Sequence, residues 1–418
     1  MKRVLAKPKS GLIAALDIGT TKVCCFVAQV DGDGNIRVVG IGHQKSRGLR
    51  AGAIIDMDVA EDSIRGAVHA AEQMAGETIR EVFVNLSCGA PISQTVAVEV
   101  SIAGHEVGDT DLRRALGQGY LYNESNDREI IHSIPVNYVI DGSPRIRDPR
   151  GMYGDRLGVN MHVVSASAGP VRNLKTCVAR CHLDLHALAV SPYAAGLSAL
   201  VEDETDLGVT CIDMGGGTTS IAVFLEGEVV YTECIPIGGQ HVTSDIARGL
   251  STPLVHAERM KTLYGSTLAT SADEHDVIDV PQVGEDEHAI PNHVPKSILV
   301  GIIQPRLEET FELVRSRLEA NGFDKAAGRR VVLTGGASQL QGMRELAALV
   351  LDKQVRMGRP LRIGGLADAT AGPAFATCAG LLQYAVTRFS ASSLQSRRGH
   401  DAPNGVLERL GTWLRENL

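Results

Sequence analysis

Short apolar runs, rich in β-branched residues, alternate with glycine-rich turns along much of this chain. One run, residues 209–212, leads into the turn DMGGGTT at 213–219, and another, residues 220–224, follows it. Two apolar runs joined by such a turn predict a β-hairpin. Residues 14–28 repeat the pattern around the turn DIGTTK, so that Asp17 and Asp213 lie 196 positions apart. Duplication on this scale predicts two similar halves that face one ligand.

A third glycine turn, TGGAS at 334–338, has a different continuation. It follows the apolar run at 331–333 and precedes an amphipathic segment at 340–350. A strand, a Gly-Gly turn and a helix direct backbone N–H groups at the helix N-terminus toward a ligand. A single glycine-rich hairpin is more often just a tight turn, but three such turns in one chain favour a common site.

The chemistry of the three turns suits a phosphate group and a divalent cation. The glycines at 215–217 carry no Cβ, so the backbone N–H groups can approach an anion closely. Threonine hydroxyls add donors, and Lys22 can meet a phosphate charge. Asp17 and Asp213, one in each hairpin, suit water-mediated contacts to hydrated Mg²⁺.

Two longer segments have helical periodicity. Residues 56–76 place apolar side chains on one predicted face, namely Val59, Ile64, Val68, Ala71 and Met74. Residues 294–321 do the same with a longer stripe, which we interpret as core: Ile298, Ile302, Ile303, Leu307, Phe311, Val314 and Leu318. Residues 87–162 differ from the segments on either side of them. Their mix of strands and a short helix predicts an α+β subdomain that is inserted into the first half.

Length and composition set bounds on the class of protein. A chain of 418 residues predicts two to four domains. The net charge of −8 disfavours nucleic-acid binding through bulk electrostatics. No window offers the roughly 20 apolar residues of a transmembrane helix. The eight cysteines form no Cys-x-x-Cys pair, which favours a reducing cytosol over structural disulfides.

The end of the chain predicts a tethered amphipathic helix. Residues 387–405 are rich in Ser, Arg, Gly and Pro and predict a flexible linker. In the last segment, residues 406–418, one helical face carries all of the large apolar side chains: Val406, Leu407, Leu410, Trp413, Leu414 and Leu418. One interpretation is a helix that packs back on the body, but closing the tether costs entropy. We favour binding to a membrane surface, with the single tryptophan as interfacial anchor.

At its three glycine turns the chain resembles the actin-like ATPase superfamily: the two hairpins are similar to its two phosphate loops, and residues 334–338 to its adenosine segment. The inserted subdomain, the linker and the amphipathic helix make it similar, within that superfamily, to the FtsA family of bacterial cell-division proteins. The resemblance implies a duplicated, ribonuclease H-like α/β fold with a nucleotide and Mg²⁺ between the two halves. Its domain I would comprise 1–86, 164–200 and the closing helix 366–386. Domain II would comprise 201–227 and 301–365, with a smaller subdomain at 228–300; the insertion, linker and final helix would be 87–163, 387–405 and 406–418.

The resemblance also implies roles for individual residues. The β- and γ-phosphates of ATP would meet the first hairpin at Asp17, Gly19, Thr20, Thr21 and Lys22. The second hairpin would close from the other side with Asp213, Gly215, Gly216, Gly217 and Thr218. Gly335, Gly336 and Ala337 would back the adenosine, and Glu258 with Lys261 would reach the ribose. Mg²⁺ would be held through water by Asp17 and Asp213.

Further implied properties concern partners. The family self-associates as an actin-like polymer at the cytoplasmic face of the inner membrane, at the division site. It recruits the tubulin-like FtsZ, whose C-terminal tail would bind the subdomain at 228–300, and later cell-division proteins. A polymer fits the predicted helix, because six partly buried apolar side chains contribute only about 5 kcal/mol before ordering costs. The alternative is a soluble actin-fold ATPase or small-molecule kinase whose C-terminal helix is structural.

One residue departs from the pattern of the superfamily. In its chaperones and MreB-type filaments a glutamate precedes the proline of a Pro-x-Ala-Ala segment and orients the attacking water. Here that position is Ser191, before Pro192. A serine is too short and too weakly basic for that task. We therefore expect the nucleotide to act mainly as a structural switch, with at most slow hydrolysis.

Overall fold

The structure is a computed structural model that describes residues 11–121, 127–284 and 292–398. Two mixed β-sheets with helices packed on their faces form the body. The predicted amphipathic helix at 406–418 and residues 399–405 of the predicted linker lie outside the described residues. Among the described helices, none is long and apolar enough to span a bilayer.

The first sheet has six strands and contains the first hairpin. Its strand order is β11-β6-β1-β2-β3-β19, and β1 pairs antiparallel with β2 and parallel with β6. β6 is in turn parallel to β11. The three strands β1, β6 and β11 therefore end on the same side of the sheet, and polar side chains lie at or next to those ends: Asp17, Asn85 and Ser191. The strands are β1 (Gly11–Ile18), β2 (Lys22–Val30), β3 (Ile36–Lys45), β6 (Glu81–Leu86), β11 (Asp184–Val190) and β19 (Ile363–Gly364).

Both faces of this sheet are covered, so β1 and β2 are apolar almost throughout. Successive side chains of a strand point to opposite faces. On β2, Cys25 and Val27 accordingly pack with helices α1 (Met57–Ala75) and α3 (Ala168–Arg180). Cys24 and Phe26 pack on the other face with α4 (Ser191–Ala199) and α11 (Ala376–Arg398). A short antiparallel pair, β4 (Leu49–Arg50) with β5 (Ala53–Ile54), precedes α1.

Two details of the predicted helices need correction. On α1 the buried stripe is Ala60, Ile64, Ala67, Val68 and Ala71, whereas Val59 and Met74 are exposed. The helical period is right, but the predicted face is too wide. The segment 387–398, predicted as linker, continues α11 as helix to Arg398. Its Ser- and Arg-rich composition is compatible with a solvated helix as well as with coil, and composition alone does not distinguish the two.

The second sheet has nine strands and contains the second hairpin. Its order is β18-β17-β12-β13-β14-β7-β10-β8-β9. The hairpin β12–β13 lies beside β17, which runs parallel to β12, as β6 does to β1. The strands of the body are β12 (Val209–Met214), β13 (Thr219–Leu225), β14 (Glu228–Ile235), β17 (Arg330–Thr334) and β18 (Gln354–Met357). α5 (Glu202–Leu207) connects the first half to β12.

The inserted subdomain extends this second sheet. It consists of β7 (Ile92–Ser101), α2 (Asp109–Leu121), β8 (Arg128–Ile140), β9 (Ser143–Ile146) and β10 (Arg156–Ser167). β7, β10 and β8 are antiparallel neighbours and enclose their own apolar core with α2. β7 joins β14 of the second half through the pairing of Ile92 with Glu233 and through the Thr232 N–H, which donates to Ser93 Oγ at 2.9 Å.

Helices cover the outer face of the second half. α6 (Gly239–Gly249), α8 (Lys296–Ala320) and α10 (Met343–Leu351) pack on the sheet, α7 (Leu254–Tyr264) packs on α6, and the short α9 (Phe323–Ala326) follows α8. β15 (Val277–Val280) and β16 (Asn292–Pro295) form a separate antiparallel pair. β14, which lies within the segment 228–300, is a strand of the main sheet. The stripe of α8 is core except at Ile298, which is exposed.

Candidate functional site

All fifteen residues predicted to contact the nucleotide line one cleft between the two halves. The cleft has a volume of about 470 Å³. Its walls come from both hairpins, the third glycine turn, α7 and the segment before α11. Tertiary structure thus brings together residues spread over more than 300 positions of the chain.

The two hairpin turns have the same internal geometry. The backbone N–H of Gly19 donates to the carbonyl of Lys22 at 2.9 Å, and the N–H of Gly215 donates to the carbonyl of Thr218 at 2.8 Å. Gly19 and Gly215 are again 196 positions apart, as are Lys22 and Thr218. The repeat read from the sequence is therefore also a repeat of backbone conformation.

The hairpin tips meet across the cleft. A Cβ added at Gly216 would lie closer than 3.0 Å to Thr21 Cγ2, and one at Gly217 closer than 3.0 Å to Thr20 Oγ1. Real Cβ atoms essentially never show such separations. The glycines are thus needed for the approach of the two halves as well as for space near a ligand.

The third turn reaches the second carboxylate. Gly335 has φ +85°, and a Cβ there would lie closer than 3.0 Å to Asp213 Oδ1. Its N–H donates to the carbonyl of Pro373 at 3.1 Å. The amphipathic segment predicted at 340–350 is α10, which begins at Met343, after a 3₁₀ segment at Gly336–Gln339 that follows the turn directly. Gly342, with φ +80°, separates the two.

The two predicted metal-contacting carboxylates lie near each other and share an unusual environment. Burial raises the pKa of Asp17 to about 6; the charge of Lys22 lowers it and that of Asp213 raises it further. Burial likewise raises the pKa of Asp213 to about 6, against the lowering effect of a hydrogen bond from Thr377. A hydrated divalent cation would offset the charge of such a pair, so these residues fit the predicted Mg²⁺.

The remaining predicted residues are also in the cleft. Glu258 and Lys261 of α7 form an ion pair at 2.7 Å, and Lys261 Nζ also donates to the carbonyl of Gly239 at 3.0 Å. Gly239 faces Ala337 of the third turn, so the pair lies beside that turn. Lys22 lines the cleft too, where its ammonium group donates to the carbonyl of Ala374 and lies 3.7 Å from the ring centroid of Phe375.

Sequence reasoning missed two side chains that organise the cleft. Asn85, at the end of β6, accepts from the N–H of Ile18 at 2.7 Å and donates to Ser191 Oγ at 3.2 Å. Thr377, in the first turn of α11, donates to Asp213 Oδ2 at 2.9 Å. Neither lies in a glycine turn, and only the polar interruption of an apolar strand at Asn85 could have drawn attention to it.

Comparison with known proteins agrees with this architecture. A sequence model of the family "Cell division protein FtsA" matches residues 210–380, and one described as "SHS2 domain inserted in FTSA" matches residues 89–165. The second match coincides with the inserted strands and α2.

Whole-length relatives and solved structures complete the comparison. The chain is 44% identical to the cell division protein FtsA of Rhizobium meliloti, covering 99% of this chain and 96% of that protein. Identity to the FtsA of Escherichia coli K12 is 33%, over 97% and 98%. The PilM–PilN pilus biogenesis complex shares the fold at TM-score 0.64 and 19% identity, over 90% of this chain and 98% of that one.

A second solved structure shares the fold. MreB5 of Spiroplasma citri bound to ADP is similar at TM-score 0.53 and 14% identity, over 91% of this chain and 98% of that one. These likenesses identify the actin-like ATPase fold, with an inserted SHS2 domain between β6 and α3. The chain belongs to the FtsA family of cell division proteins.

Proposed function

We propose that this protein binds ATP with Mg²⁺ in the cleft between its two halves. The observation that carries the proposal is the meeting of the two glycine hairpins, Gly216 against Thr21 and Gly217 against Thr20. Paired turns of this kind offer backbone N–H groups and hydroxyls to a phosphate chain from both sides. Two solved neighbours of the same fold, both MreB5 of Spiroplasma citri, are described as bound to ADP and to AMPPNP.

Each group of cleft residues has a part in this proposal. The first hairpin, with Gly19, Thr20, Thr21 and Lys22, binds the β- and γ-phosphates, and Gly215, Gly216, Gly217 and Thr218 bind from the opposite side. Gly335, Gly336 and Ala337 contact the adenosine, and the ion pair of Glu258 and Lys261 contacts the ribose. Asp17 and Asp213 hold the waters of Mg²⁺, which supplies charge neutralisation for the phosphates.

The environment of Ser191 supports a switch in preference to a rapid ATPase. Ser191 is 4% exposed, and its hydroxyl accepts a hydrogen bond from Asn85. A serine held in this way offers no carboxylate to orient an attacking water. We expect single-turnover hydrolysis to be slow, and a fast rate that neither lipid nor filament formation changes would contradict this.

The wider proposal is that the protein self-associates on the cytoplasmic face of the inner membrane and attaches FtsZ there. Residues 406–418 would bind the lipid surface through Val406, Leu407, Leu410, Trp413, Leu414 and Leu418. One helix of this size binds weakly, so stable attachment needs many copies joined in a polymer. Membership of the FtsA family supports this role. Later cell-division proteins are further proposed partners.

The FtsZ tail is proposed to bind the small subdomain of the second half. Several apolar side chains of α7 face solvent: Leu254, Val255, Leu263 and Tyr264. Val255 is 74% exposed and Tyr264 is 44% exposed. Exposed apolar side chains grouped on one short helix are typical of a surface that binds a partner segment.

Liposome co-sedimentation tests the membrane part of the proposal. The full chain should pellet with vesicles in the presence of ATP and Mg²⁺, and a chain that ends at Gly405 should stay in the supernatant. Leu410→Gln, on the apolar face, should weaken pelleting, whereas Glu416→Gln, on the opposite face, should not. Equal pelleting of the truncated chain would make the last segment structural and leave a soluble actin-fold ATPase as the better description.

Addition of FtsZ to the same assay tests recruitment. FtsZ should pellet with the vesicles only when the full chain is present. Val255→Glu should reduce the FtsZ in the pellet while this protein still binds the vesicles. Leu349→Glu, at an equally exposed position on α10, is the matched control. If both variants bring as much FtsZ into the pellet as the wild-type chain does, the surface of α7 is excluded as the binding site.

A further inference from the structure

The carboxylate of Asp213 is held by a residue from the other half of the molecule. Thr377 Oγ1 donates to Asp213 Oδ2 at 2.9 Å, and the threonine is 6% exposed. Asp213 belongs to β12 of the second half, whereas Thr377 belongs to α11, which packs on the first sheet. This hydrogen bond therefore joins the two halves at the base of the cleft.

Among the hydrogen bonds of the described residues, only Oδ2 of this carboxylate has a side-chain donor, and Oδ1 remains for others. Oδ2 receives the hydroxyl of Thr377, and Oδ1 lies beside Gly335, where any Cβ would be too close. A carboxylate fixed through one oxygen presents the other in a defined direction. The charge of Lys22 lowers the pKa of both Asp17 and Asp213, but among the contacts of the described residues only Asp213 also receives a side-chain hydrogen bond. The two otherwise repeated hairpins thus differ in this one support.

The segment before Thr377 strengthens this connection. The carbonyl of Pro373 accepts from Gly335 N at 3.1 Å and from Thr334 Oγ1 at 3.1 Å, and the carbonyl of Ala374 accepts from Lys22. Ala376 is held in turn by Ser198, whose hydroxyl donates to its carbonyl at 2.7 Å. Residues 373–377 therefore contact all three glycine turns or the residues beside them. A shift of residues 373–377 would therefore move the Asp213 carboxylate and the three glycine turns together.

We propose that Thr377 is a positioning residue for the cation: it directs Asp213 Oδ1 toward the water shell of Mg²⁺, and does so only when the two halves are closed on each other. The proposal rests on the proposed binding of ATP with Mg²⁺. It states that Thr377 contributes to the ATP affinity that is gained when Mg²⁺ is present. The glycine turns provide the ATP affinity that remains without Mg²⁺. Cation binding and closure of the halves are then the same event.

Calorimetric titration of ATP into the full chain, in excess Mg²⁺ and separately in EDTA, tests the proposal. Thr377→Val has nearly the same shape but cannot donate, and a hydrogen bond to a charged group contributes enough that its loss should weaken affinity in Mg²⁺ about tenfold or more. Affinity in EDTA should change by less than about twofold. Thr377→Ser keeps the hydroxyl and should retain the wild-type ratio of the two affinities.

Thr387→Val is the matched control, because Thr387 lies on the same helix and is exposed, with its hydroxyl bonded only to the carbonyl of Gln383 among the contacts of the described residues. Thermal unfolding without ligand checks that each variant is folded. If Thr377→Val does not fold, Thr377→Ala replaces it in the titrations. An equal loss of affinity with and without Mg²⁺ would make Thr377 merely structural and overturn the proposal, as would no loss at all. If the wild-type chain itself binds no ATP in Mg²⁺, the proposed function fails and this inference falls with it.

Discussion

The ring of His132 accepts a hydrogen bond from the backbone N–H of Val190 through Nε2, at 3.0 Å. His132 lies on β8 of the inserted subdomain, and Val190 is the last residue of β11 in the first half. The next residue, Ser191, starts α4 and lines the cleft. The ring also packs edge-on against Tyr193 and Tyr384, with centroids 5.3 and 5.6 Å away. One buried imidazole thus attaches the insertion to α4 and α11, and each of these helices contributes a residue to the cleft lining.

Acidification should destabilise the protein through this histidine. Burial lowers the pKa of His132 to about 3, and that of His162, also fully buried, to about 4. In the unfolded chain both pKa values return to about 6.5. The unfolded state therefore binds more protons between these values, so stability is complete above pH 6.5 and declines as the pH falls below it.

Chemical denaturation at pH 7.5 and pH 5.5 measures this effect. Each buried histidine contributes a slope that approaches ~1.4 kcal/mol per pH unit below pH 6.5. His132→Phe should lower stability at pH 7.5, because Val190 loses its acceptor, but should show a weaker decline toward pH 5.5. His69→Phe, at an exposed position of α1, should keep the wild-type pH dependence. An unchanged slope in His132→Phe would contradict the assignment.

Gly216→Ala should block the approach of the two hairpins. The added Cβ would clash with Thr21 in the opposite tip, so the halves would have to separate. We expect ATP affinity to fall by about tenfold or more, since a displacement of this size breaks several phosphate contacts together. Thermal unfolding without nucleotide should change little, because the residue lies in a turn at the cleft surface.

Two variants make this experiment specific. Gly32→Ala, in a turn where an added Cβ meets nothing within 4 Å, should bind ATP normally. Thr21→Ala combined with Gly216→Ala removes the clashing side chain and should recover part of the affinity that the single substitution loses. If the double variant is as weak as the sum of both single variants, the clash is not the cause.

Asp213→Asn should stabilise the nucleotide-free protein while weakening ATP binding in Mg²⁺. Burial raises the pKa of Asp213 to about 6, so at pH 8 the folded state holds a charge in an unfavourable environment. Removing that charge should raise the free energy of unfolding by about 1–2 kcal/mol, allowing for partial exposure of the group. Asp33→Asn, in the exposed turn after β2, should leave both stability and ATP affinity unchanged. A destabilised Asp213→Asn variant would contradict the charge argument.

The connection between the halves depends on a buried ion pair. Glu204 is 3% exposed, accepts from Arg356 at 2.7 and 2.5 Å, and also caps the N–H of Val201. These hydrogen bonds hold the pKa of Glu204 below its usual range despite burial. Arg356 further donates to the carbonyl of Ala199 at the end of α4.

Glu204→Gln should therefore cost about 3 kcal/mol of stability, since it leaves the Arg356 guanidinium without its counter-charge. Glu226→Gln removes an exposed pair with Arg145 of the insertion, at 3.4 Å, and should cost less than ~1 kcal/mol. Urea denaturation of both variants at the same pH and salt concentration gives the comparison. Similar costs for the two would show that the burial of Glu204 has no energetic consequence.

The sequence predicted local structure best where one interaction dominates. Both hairpins and the pattern of α8 follow from short-range periodicity and turn chemistry. It was less accurate where neighbours in space decide. Val59 and Met74 continue the period of α1 but lie beyond the sheet it covers. β14 follows a turn after β13 and pairs with it in the main sheet. No local signal in the sequence tells such a strand from the first strand of a new subdomain.

By itself, the sequence determined which residues form the cleft. The repeated Asp-x-Gly turns and the Gly-Gly turn at 335–336 line it, because phosphate-type turns need glycine, hydroxyl and carboxylate at fixed local spacing. The pair at 258 and 261 lines it too, but that pair was implied by the family resemblance and not by local spacing. Only the tertiary structure decided how these residues are supported. Thr377, Asn85 and His132 act across distances of 164, 67 and 58 positions. Their roles depend on which helix or strand the fold places opposite them, and such long-range contacts leave no periodic trace in the chain.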